Sequence, residues 1–577
     1  MTVHEEELLR RIRELEEKNG YLNQRLKEHR YGLTWMEEPE TFDPESKNKI
    51  PVLEEVKGKS FTDRGDQPTH ILIEGDNYHA LTCLQYTHKG KIDVIYIDPP
   101  YNTGSDGFTY KDKRFLTQYP DGTPVPKDHP LRHSYWLSFM QKRLELAKNL
   151  LKDDGVIFIS IDDNEQANLK LLCDTVFLEK NFVATMIWKS KSGGANDSSS
   201  IATDHEYVLC YSKNINKVTL NNDLEAVVTT QYNKEDSFGR YSLDRLDKQN
   251  LGYNSSLDFP IIGPDGKEYV VEHKDPNNKK ARWRWGRDTV AERYDELVFI
   301  YPYVYTKNYE KKDGQKPRTI LFDERFGRTR TGSTDLKKII PEQTLFSYPK
   351  PVALMKYLLQ ISTSRKDTCI ILDFFAGSGT TLHATLKLNA EDGGKRQCIL
   401  VQQNEGEKHI CEEVTYERNR RVMQGYTNAK GEKIAGLGGS LKYYKTAFTG
   451  AGKPDRDPIM RPSDEDRVSL AQNAGVLVSL AENTLYETAK NDFFQIFTDN
   501  HGKFAAVYLQ EDLSHFEIFK QEVEKLNGQV AVYIFSWGST PDAESSFRHL
   551  PNVSVKAYPN AILESYKQAY QQLENNK

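Results

Sequence analysis

At 577 residues, with 37% hydrophobic residues and a formal net charge of −6, the chain is too long for a single core and holds roughly two to four domains. The longest apolar runs, such as VIFISI at 156–161, are strand length, far short of the ~18 apolar residues of a membrane span. The charged start MTVHEEELLRRIRELEEK is unlike a signal peptide, so a cytoplasmic protein with no membrane contact is expected. Six cysteines, at 83, 173, 210, 369, 398 and 411, are scattered without a C-x-x-C pair and suggest neither a zinc site nor a disulfide framework. The mildly acidic balance leaves nucleic-acid binding to a local basic patch.

In chain order, the first thirty residues read as a helix. Leu8, Ile12, Leu15, Asn19, Leu22 and Leu26 follow heptad spacing with one polar inner position, which fits either a helix packed on its own domain or a short coiled-coil contact. From about residue 70 strands and helices alternate. HILIEGDN (70–77) and KIDVIYIDPPY (91–101) are apolar strands ending in acids, with NYHALTCLQY at helical spacing between them. SYWLSFMQKRLELAKNLLKDDG (134–155) reads as a helix closed by Gly155, followed by strands VIFISID (156–162) and NFVATMIWK (181–189). This alternation predicts βαβ units, and so an α/β, doubly wound, Rossmann-like parallel sheet.

Between about 214 and 335 the rhythm gives way to polar, turn-rich sequence, read as an inserted domain or long ordered loops. It resumes at CIILDFFAGSGTTLHATLKL (369–388) and QCILVQQNE (397–405). AGKPDRDPIMRPSDEDR, after residue 450, is a plausible linker to a small α/β unit with strands at 503–509 and 529–535.

Two segments carry chemistry. DFFAGSGTT (373–381) follows a strand and opens a helix, where Gly377 and Gly379 let the backbone turn tightly and free N–H groups favour an anion. Such turns also serve merely to pack strand on helix. No Lys follows the glycines and G-x-G-x-x-G is incomplete, which argues against ATP and NAD. The second is the strand-ending DPPY, Asp98–Tyr101.

Together, VIYIDPPY and LDFFAGSGTT, with IEGDN (73–77) upstream and FSYPKP (346–351) before the glycine turn, resemble the S-adenosylmethionine-dependent amino-methyltransferases of DNA. DPPY preceding the glycine turn resembles the circularly permuted β group. The long form, with N-terminal and C-terminal additions, is similar to the modification (Mod) subunit of type III restriction–modification systems. The layout expected from this resemblance is an N-terminal helical extension (1–45), a catalytic half (46–215), a target-recognition domain (216–335), a cofactor-binding half (336–450) and a C-terminal α/β interaction domain (451–577).

The resemblance implies methyl transfer from S-adenosyl-L-methionine to adenine N6 in double-stranded DNA, with the base flipped out of the helix. Asp98 and the Pro99 carbonyl would accept the two amine N–H bonds, Pro99 and Pro100 keep them aimed, and Tyr101 stacks on the base. Transfer would be a direct in-line displacement needing alignment, without a metal or a covalent enzyme intermediate. For the cofactor, the resemblance points to Asp373 facing the ammonium, the turn Phe375, Gly377, Ser378, Gly379 and Thr380 around the methionine part, Asp76 near the adenine ring, and Phe346, Pro349 and Lys350 flanking the methionine moiety. Many members place a ribose-binding acid after the next strand. Here Gln402 stands there with Glu405 three residues on, and either could serve. His205, Glu206 and Tyr207 lie in TDHEYVLCYSK (203–213), which resembles the target-base pocket.

KKARWRWGR brings Lys279, Lys280, Arg282, Arg284 and Arg287 around Trp283 and Trp285, and ERFGRTRTG adds Arg328 and Arg330. These residues would contact phosphates and bases, or the tryptophans would fill a small core while the cations form surface ion pairs. A homodimer and a restriction subunit are the expected partners. The alternatives are an unpartnered adenine-N6 or cytosine-N4 methyltransferase, and a DNA-specificity subunit without catalysis.

Overall fold

The structure is a computed structural model that describes residues 11, 33, 35, 36, 48–63, 67–104, 114–119, 122–127, 129–191, 193, 201–226, 232–275, 277–310, 314–343, 345–363, 368–404, 406–428, 430–450, 459–538 and 544–575. The heptad positions Leu8 to Leu26 and the candidate Glu405 lie outside them. The chain divides into two compact units, one of residues 1–221 with 318–577 and one of residues 222–317.

The larger unit is built on a ten-stranded sheet. Its elements are β1 (Ile50–Glu55), β2 (Thr69–Glu74), α1 (Asn77–His88), β3 (Ile92–Ile97), α2 (Ser134–Leu150), β4 (Leu151–Ile161), β5 (Phe182–Lys189), β6 (His205–Ser212), β7 (Ile320–Leu321), β8 (Ile370–Asp373), α3 (Thr380–Asp392), β9 (Gln397–Gln402), α4 (Glu417–Gln424) and β10 (Ser440–Thr449). The strand order is β1-β10-β2-β9-β8-β3-β4-β6-β5-β7. The run from β10 to β4 is parallel throughout, and β6 enters it antiparallel to β4. Ile71, Ile73, Ile95, Ile97 and Leu372 face one apolar layer, while Leu72, Val94, Tyr96 and Ile371 face the other. Burial on both faces is why these strands read as unbroken hydrophobic runs.

The helix expected to close at Gly155 ends earlier, at Leu150, and β4 begins directly at Leu151. Gly155 sits within that strand beside a register shift in the β3–β4 pairing, where a Cβ would stand 3.0 Å from the Ile92 carbonyl. Its smallness serves a strand contact, not a helix cap.

The C-terminal residues build a five-stranded sheet (Tyr486–Lys490, Phe494–Thr498, Lys503–Tyr508, Gln529–Ser536, Val553–Pro559, in that order). Helices α5 (Gly475–Glu482) and α6 (Asn560–Asn575) share one buried apolar cluster with α1 and α2, with Leu477, Ile562 and Tyr566 in the same core as Leu81 and Leu144. This region thus packs on helices of the large sheet, and residues 451–458 of the expected linker lie outside the described residues.

The smaller unit carries a four-stranded antiparallel sheet (Lys234–Asp236, Gly239–Arg245, Leu297–Ile300, Tyr303–Tyr309) and its own core around Leu246, Phe259, Tyr269, Trp283 and Val304. Its limits, 222 and 317, lie inside the expected 216–335. The reason on the far side is β7, which pairs in parallel with Ile187 and Trp188 of β5 and so ties 318–335 to the large sheet. Among the described residues no helix is long and apolar enough to cross a membrane.

Candidate active site

Six strands bring polar residues to one edge of the large sheet. β3 runs into Asp98, β8 ends on Asp373, β2 leads to Asp76, β9 ends on Gln402, β4 leads to Asp162, and antiparallel β6 starts there with His205 and Glu206. β3 and β8 are neighbours, with Val94 paired to Ile371 and Ile95 to Leu372. From β8 the chain leaves through α3 to β9 on one side, and from β3 through α2 to β4 on the other. Diverging connections open a crevice outside the strand ends, the usual ligand position in open α/β sheets. A cavity of about 710 Å³ fills it, lined by Asp98, Tyr101, Glu206, Lys350, Asp373 and Gly377 among others, a size suited to a ligand larger than a single ring.

At one end is a compact charge cluster. The Lys350 ammonium donates to both Asp98 oxygens at 2.7 and 2.8 Å and lies 2.9 Å from the Tyr101 hydroxyl and 3.3 Å from Glu206. Tyr101 in turn places its hydroxyl 2.7 Å from Asp98 and 3.0 Å from Glu206. Burial works against the lysine charge, but Asp98 and Glu206 outweigh it and hold its pKa above the ordinary lysine value. Burial, then the same two carboxylates, pushes Tyr101 well above the usual phenol range, so it stays protonated. Lys350, expected beside the methionine moiety, is thus bound to the carboxylate of DPPY. Pro100 lines the cavity and its carbonyl accepts from the buried Trp136 indole at 2.7 Å, which fixes the turn. Pro99 is buried and is not among the residues lining the cavity.

The other end is the glycine turn. Gly377 has φ +52, and a Cβ there would stand 2.9 Å from the Phe346 ring. Gly379, φ +71, caps α3 from beneath the cavity wall, where a Cβ would stand 2.2 Å from the Asn419 amide nitrogen. Both positions exclude any larger residue. Asp373 is 2% exposed, accepting from Thr381 Oγ1 at 2.6 Å and from the Phe375 amide at 3.1 Å. Burial pushes its carboxyl up to about 7 against those two hydrogen bonds. Gln402 lines the cavity and is fixed by two hydrogen bonds. Its Oε1 accepts from the Gly377 amide at 2.7 Å and its Nε2 donates to the Gln403 carbonyl at 3.0 Å. Asp76 caps α1 through the Tyr78 amide at 2.8 Å, with Arg143 3.4 Å away. A buried carboxyl, a glycine turn opening a helix, and the lining rings of Phe346, Phe375 and Phe139 fit the ammonium, carboxylate and flat base of S-adenosylmethionine.

Several residues carry no motif signal. Phe139 lies between the guanidinium groups of Arg114 and Arg143, each 3.7 Å from its ring centroid. The only hint in sequence is the Phe–Arg spacing of four in a helix. Asp162 lines the cavity with its pKa raised to about 6, chiefly by burial; it ends an apolar strand as Asp98 does. Ser190 lines it too, its hydroxyl buried and, among the described residues, without a hydrogen-bond partner. Behind the glycine turn, Arg418 on α4 is fully buried and donates to Ser378 Oγ at 2.8 Å and Thr380 Oγ1 at 2.7 Å. Of the expected base-pocket residues, His205 and Glu206 line the cavity, while Tyr207 does not and instead holds Asp163 at 2.8 Å.

The expected DNA contacts divide. Trp283 is buried, donating to the Phe259 carbonyl at 2.7 Å, and is a core residue of the smaller unit, unable to stack on a base. Trp285 packs under Arg293, and Lys279 and Arg284 are paired with Asp258 and Asp244. Arg287 lies over the Phe259 ring; Lys280 is exposed and Arg282 half-buried. In the larger unit, Arg328 is tied to the carbonyls of Phe322, Asp323 and Gly327, whereas Arg330 is exposed.

Residues 92–413 match the DNA methylase family (N6_N4_Mtase). The chain belongs to this family. It is 34% identical over 397 residues to the type III restriction-modification enzyme EcoPI Mod subunit of Escherichia phage P1, covering 61% of this chain and 60% of the relative. It is 31% identical over 483 residues to the EcoP15I Mod subunit of Escherichia coli, covering 73% and 70%. It is also 34% identical over 410 residues to the type II methyltransferase M.KpnI of Klebsiella pneumoniae, covering 66% and 94%.

Proposed function

We propose that this DNA methylase transfers a methyl group from S-adenosyl-L-methionine to the N6 amine of an adenine in double-stranded DNA, as the modification and recognition subunit of a type III restriction–modification system. The observation that carries this reading is the meeting of Asp98 and the Gly377 turn in one cavity across adjacent strands. When bound, the cofactor supplies an electrophilic methyl group on sulfur. Everything else falls to the chain. Asp373 and the 375–380 turn seat the amino-acid end, and Asp76 lies at the strand end expected for its base. Asp98 accepts an N–H of the target amine, whose lone pair is otherwise drawn into the ring, and so favours a more pyramidal, more nucleophilic nitrogen. Tyr101 offers the ring on which a flipped base stacks. The cavity is large enough for both ligands to meet, and alignment supplies most of the rate.

In this reading residues 222–317 form the target-recognition domain, Lys280 and Arg282 contact DNA, and two copies assemble with a restriction subunit in the cytoplasm. The EcoPI, EcoP15I and StyLTI Mod subunits support that assignment. M.KpnI, matched over 94% of its length, supports a second reading, an unpartnered methyltransferase. Incubation with DNA and methyl-labelled cofactor, then digestion to nucleosides and mass analysis, tests the reaction: N6-methyl-2′-deoxyadenosine is expected. N4-methylcytosine would replace the base assignment, and no transfer by the intact chain would leave a DNA-specificity subunit. Mapping the modified positions in DNA from expressing cells gives the sequence context, and co-purification of a nuclease-helicase subunit separates the two readings.

A further inference from the structure

The Lys350 ammonium occupies the seat that the target amine needs. Both Asp98 oxygens are within 2.8 Å of Nζ, so an incoming amine competes with the ammonium for the carboxylate and binds it best once the ammonium shifts. Glu206, 3.3 Å from Nζ on the start of β6, and the Tyr101 hydroxyl at 2.9 Å give it somewhere to remain after giving up one Asp98 oxygen. A half-displaced ammonium then stands beside the base.

The chemistry of the base fixes what it meets there. In adenine the exocyclic amine and the ring nitrogen N1 are two bonds apart, as are the two oxygens of a carboxylate. With the amine donating to one Asp98 oxygen, N1 lies alongside the other, and a cation bound to that oxygen is within reach of the N1 lone pair. A carboxylate next to an ammonium is an acceptor beside a donor, the complement of a donor amine beside an acceptor ring nitrogen.

We propose that Lys350 and Asp98 together read the Watson–Crick edge of the extruded base, Asp98 accepting from the amine and Lys350 donating to the adjacent ring nitrogen. This deepens, and rests on, the reading of the cavity as an adenine-N6 methyltransferase site. It makes Lys350 a base-recognition residue, where the FSYPKP motif had pointed to the cofactor. It also gives Glu206 a role, as the counter-charge that keeps the ammonium in the site while it is shared. Thymine and guanine, which present a ring N–H at the corresponding position, would oppose the ammonium with a donor and be rejected.

The test uses the full chain and duplex oligonucleotides containing the mapped site, with the target base as adenine, 1-deazaadenine (N1 replaced by C–H) or 7-deazaadenine (N1 kept). Removing N1 makes the amine more electron-rich, so a slower reaction reflects lost recognition, not weaker intrinsic reactivity. For the wild type, kcat/KM should fall about 30-fold on 1-deazaadenine, the size of one hydrogen bond from a charged donor, and stay within about threefold on 7-deazaadenine. In Lys350→Met the rate on adenine should drop and the difference between adenine and 1-deazaadenine should collapse, with cofactor binding by calorimetry reporting that the variant is folded. Equal wild-type rates on adenine and 1-deazaadenine would overturn the inference, as would a folded Lys350→Met that keeps the 30-fold discrimination. The wild-type comparison stands by itself if the variant does not fold. A wild type that methylates no adenine at all would instead sink the underlying reaction, a separate outcome.

Discussion

Cations meet carboxylates in both units of this molecule, with opposite consequences. At the edge of the large sheet, Lys350, Asp98 and Glu206 gather half-buried, lining a cavity that another molecule must enter. In the smaller unit, Arg245 pairs with Asp247 and Glu272, Lys279 with Asp258, and Arg284 with Asp244, and these contacts hold a small sheet and its loops together. A half-buried pair facing a cavity is poised to exchange partners, because each ion is costly to leave alone. A pair whose acid is fixed within its own sheet, such as Arg245 with the buried Asp247, has no cavity to open and keeps its partner. The same residue types therefore mark chemistry in one place and scaffolding in the other.

The sharpest way to break this contrast is to remove the acid of the cavity pair. Asp98→Ala should cut methyl transfer by more than about 10³-fold, measured with labelled cofactor, while cofactor affinity changes little because Asp373 and the glycine turn are untouched. Undiminished transfer would refute the role of that carboxylate. The counterpart in the smaller unit is Trp283→Ala. It removes the indole from the centre of a core and should cost that unit about 3–5 kcal/mol, abolishing sequence-specific DNA binding by loss of its fold. Since residues 222–317 form their own compact unit, cofactor binding should survive. A variant that loses cofactor binding together with DNA binding would show that the two units do not fold independently.

That contrast also explains what could be read in the sequence. β3 and β8 were legible because strands buried on both faces must be apolar throughout, so an acid or glycine at their ends stands out: hence Asp98, Asp373 and Gly377. Lys350 was legible as a motif residue but not as a partner of Asp98, because 252 residues separate the two and only the sheet order brings them together. Gln402 was read by its place after a strand, whereas its amide is spent on shaping the Gly377 turn. Trp283 stood open between stacking on a base and filling a core, because a nine-residue stretch crowded with Lys and Arg looks like a basic patch, and the structure gives the core. The acids that neutralise those cations, Asp244 and Asp258, lie outside it. Arg114, Phe139 and Arg143 gave no more than a Phe–Arg spacing of four, since their stack is assembled from a loop and a helix.

A smaller effect is expected at the cofactor end. Asp373 has its carboxyl raised to about 7 by burial, so near neutrality part of the ligand-free protein carries it protonated, while pairing with an ammonium requires the ionised form. Binding should therefore release a proton below about pH 7, and affinity should fall by about tenfold per pH unit there. Calorimetry in buffers of different ionisation enthalpy reads both. The sign for stability is the reverse: a folded-state value above the unfolded 3.8 means that this group supports the ligand-free fold at low pH, a contribution lost as pH rises through about 7. Asp373→Asn should flatten both dependences and weaken binding by about 10–100-fold at pH 8. An affinity that stays level from pH 5 to 8 in the wild type would mean that the carboxyl does not face the ammonium.

The smallest effect separates free from committed cations within one short stretch. Lys279 and Lys280 are adjacent and both exposed, but Lys279 bonds Asp258 at 2.8 Å. Among the described residues no carboxylate is paired with Lys280. A cation that contacts a phosphate releases counterions, so replacing it should weaken binding about two- to fivefold and reduce the slope of log affinity against log salt by about one. Lys280→Ala should do this for cognate and unrelated duplexes alike, as a phosphate contact carries no sequence information. Lys279→Ala should leave the salt slope within error, because its charge is already balanced inside the unit. If the two variants lower the slope equally, then Lys279 leaves Asp258 when DNA binds, and the rule that the smaller unit's ion pairs serve the scaffold fails at this pair.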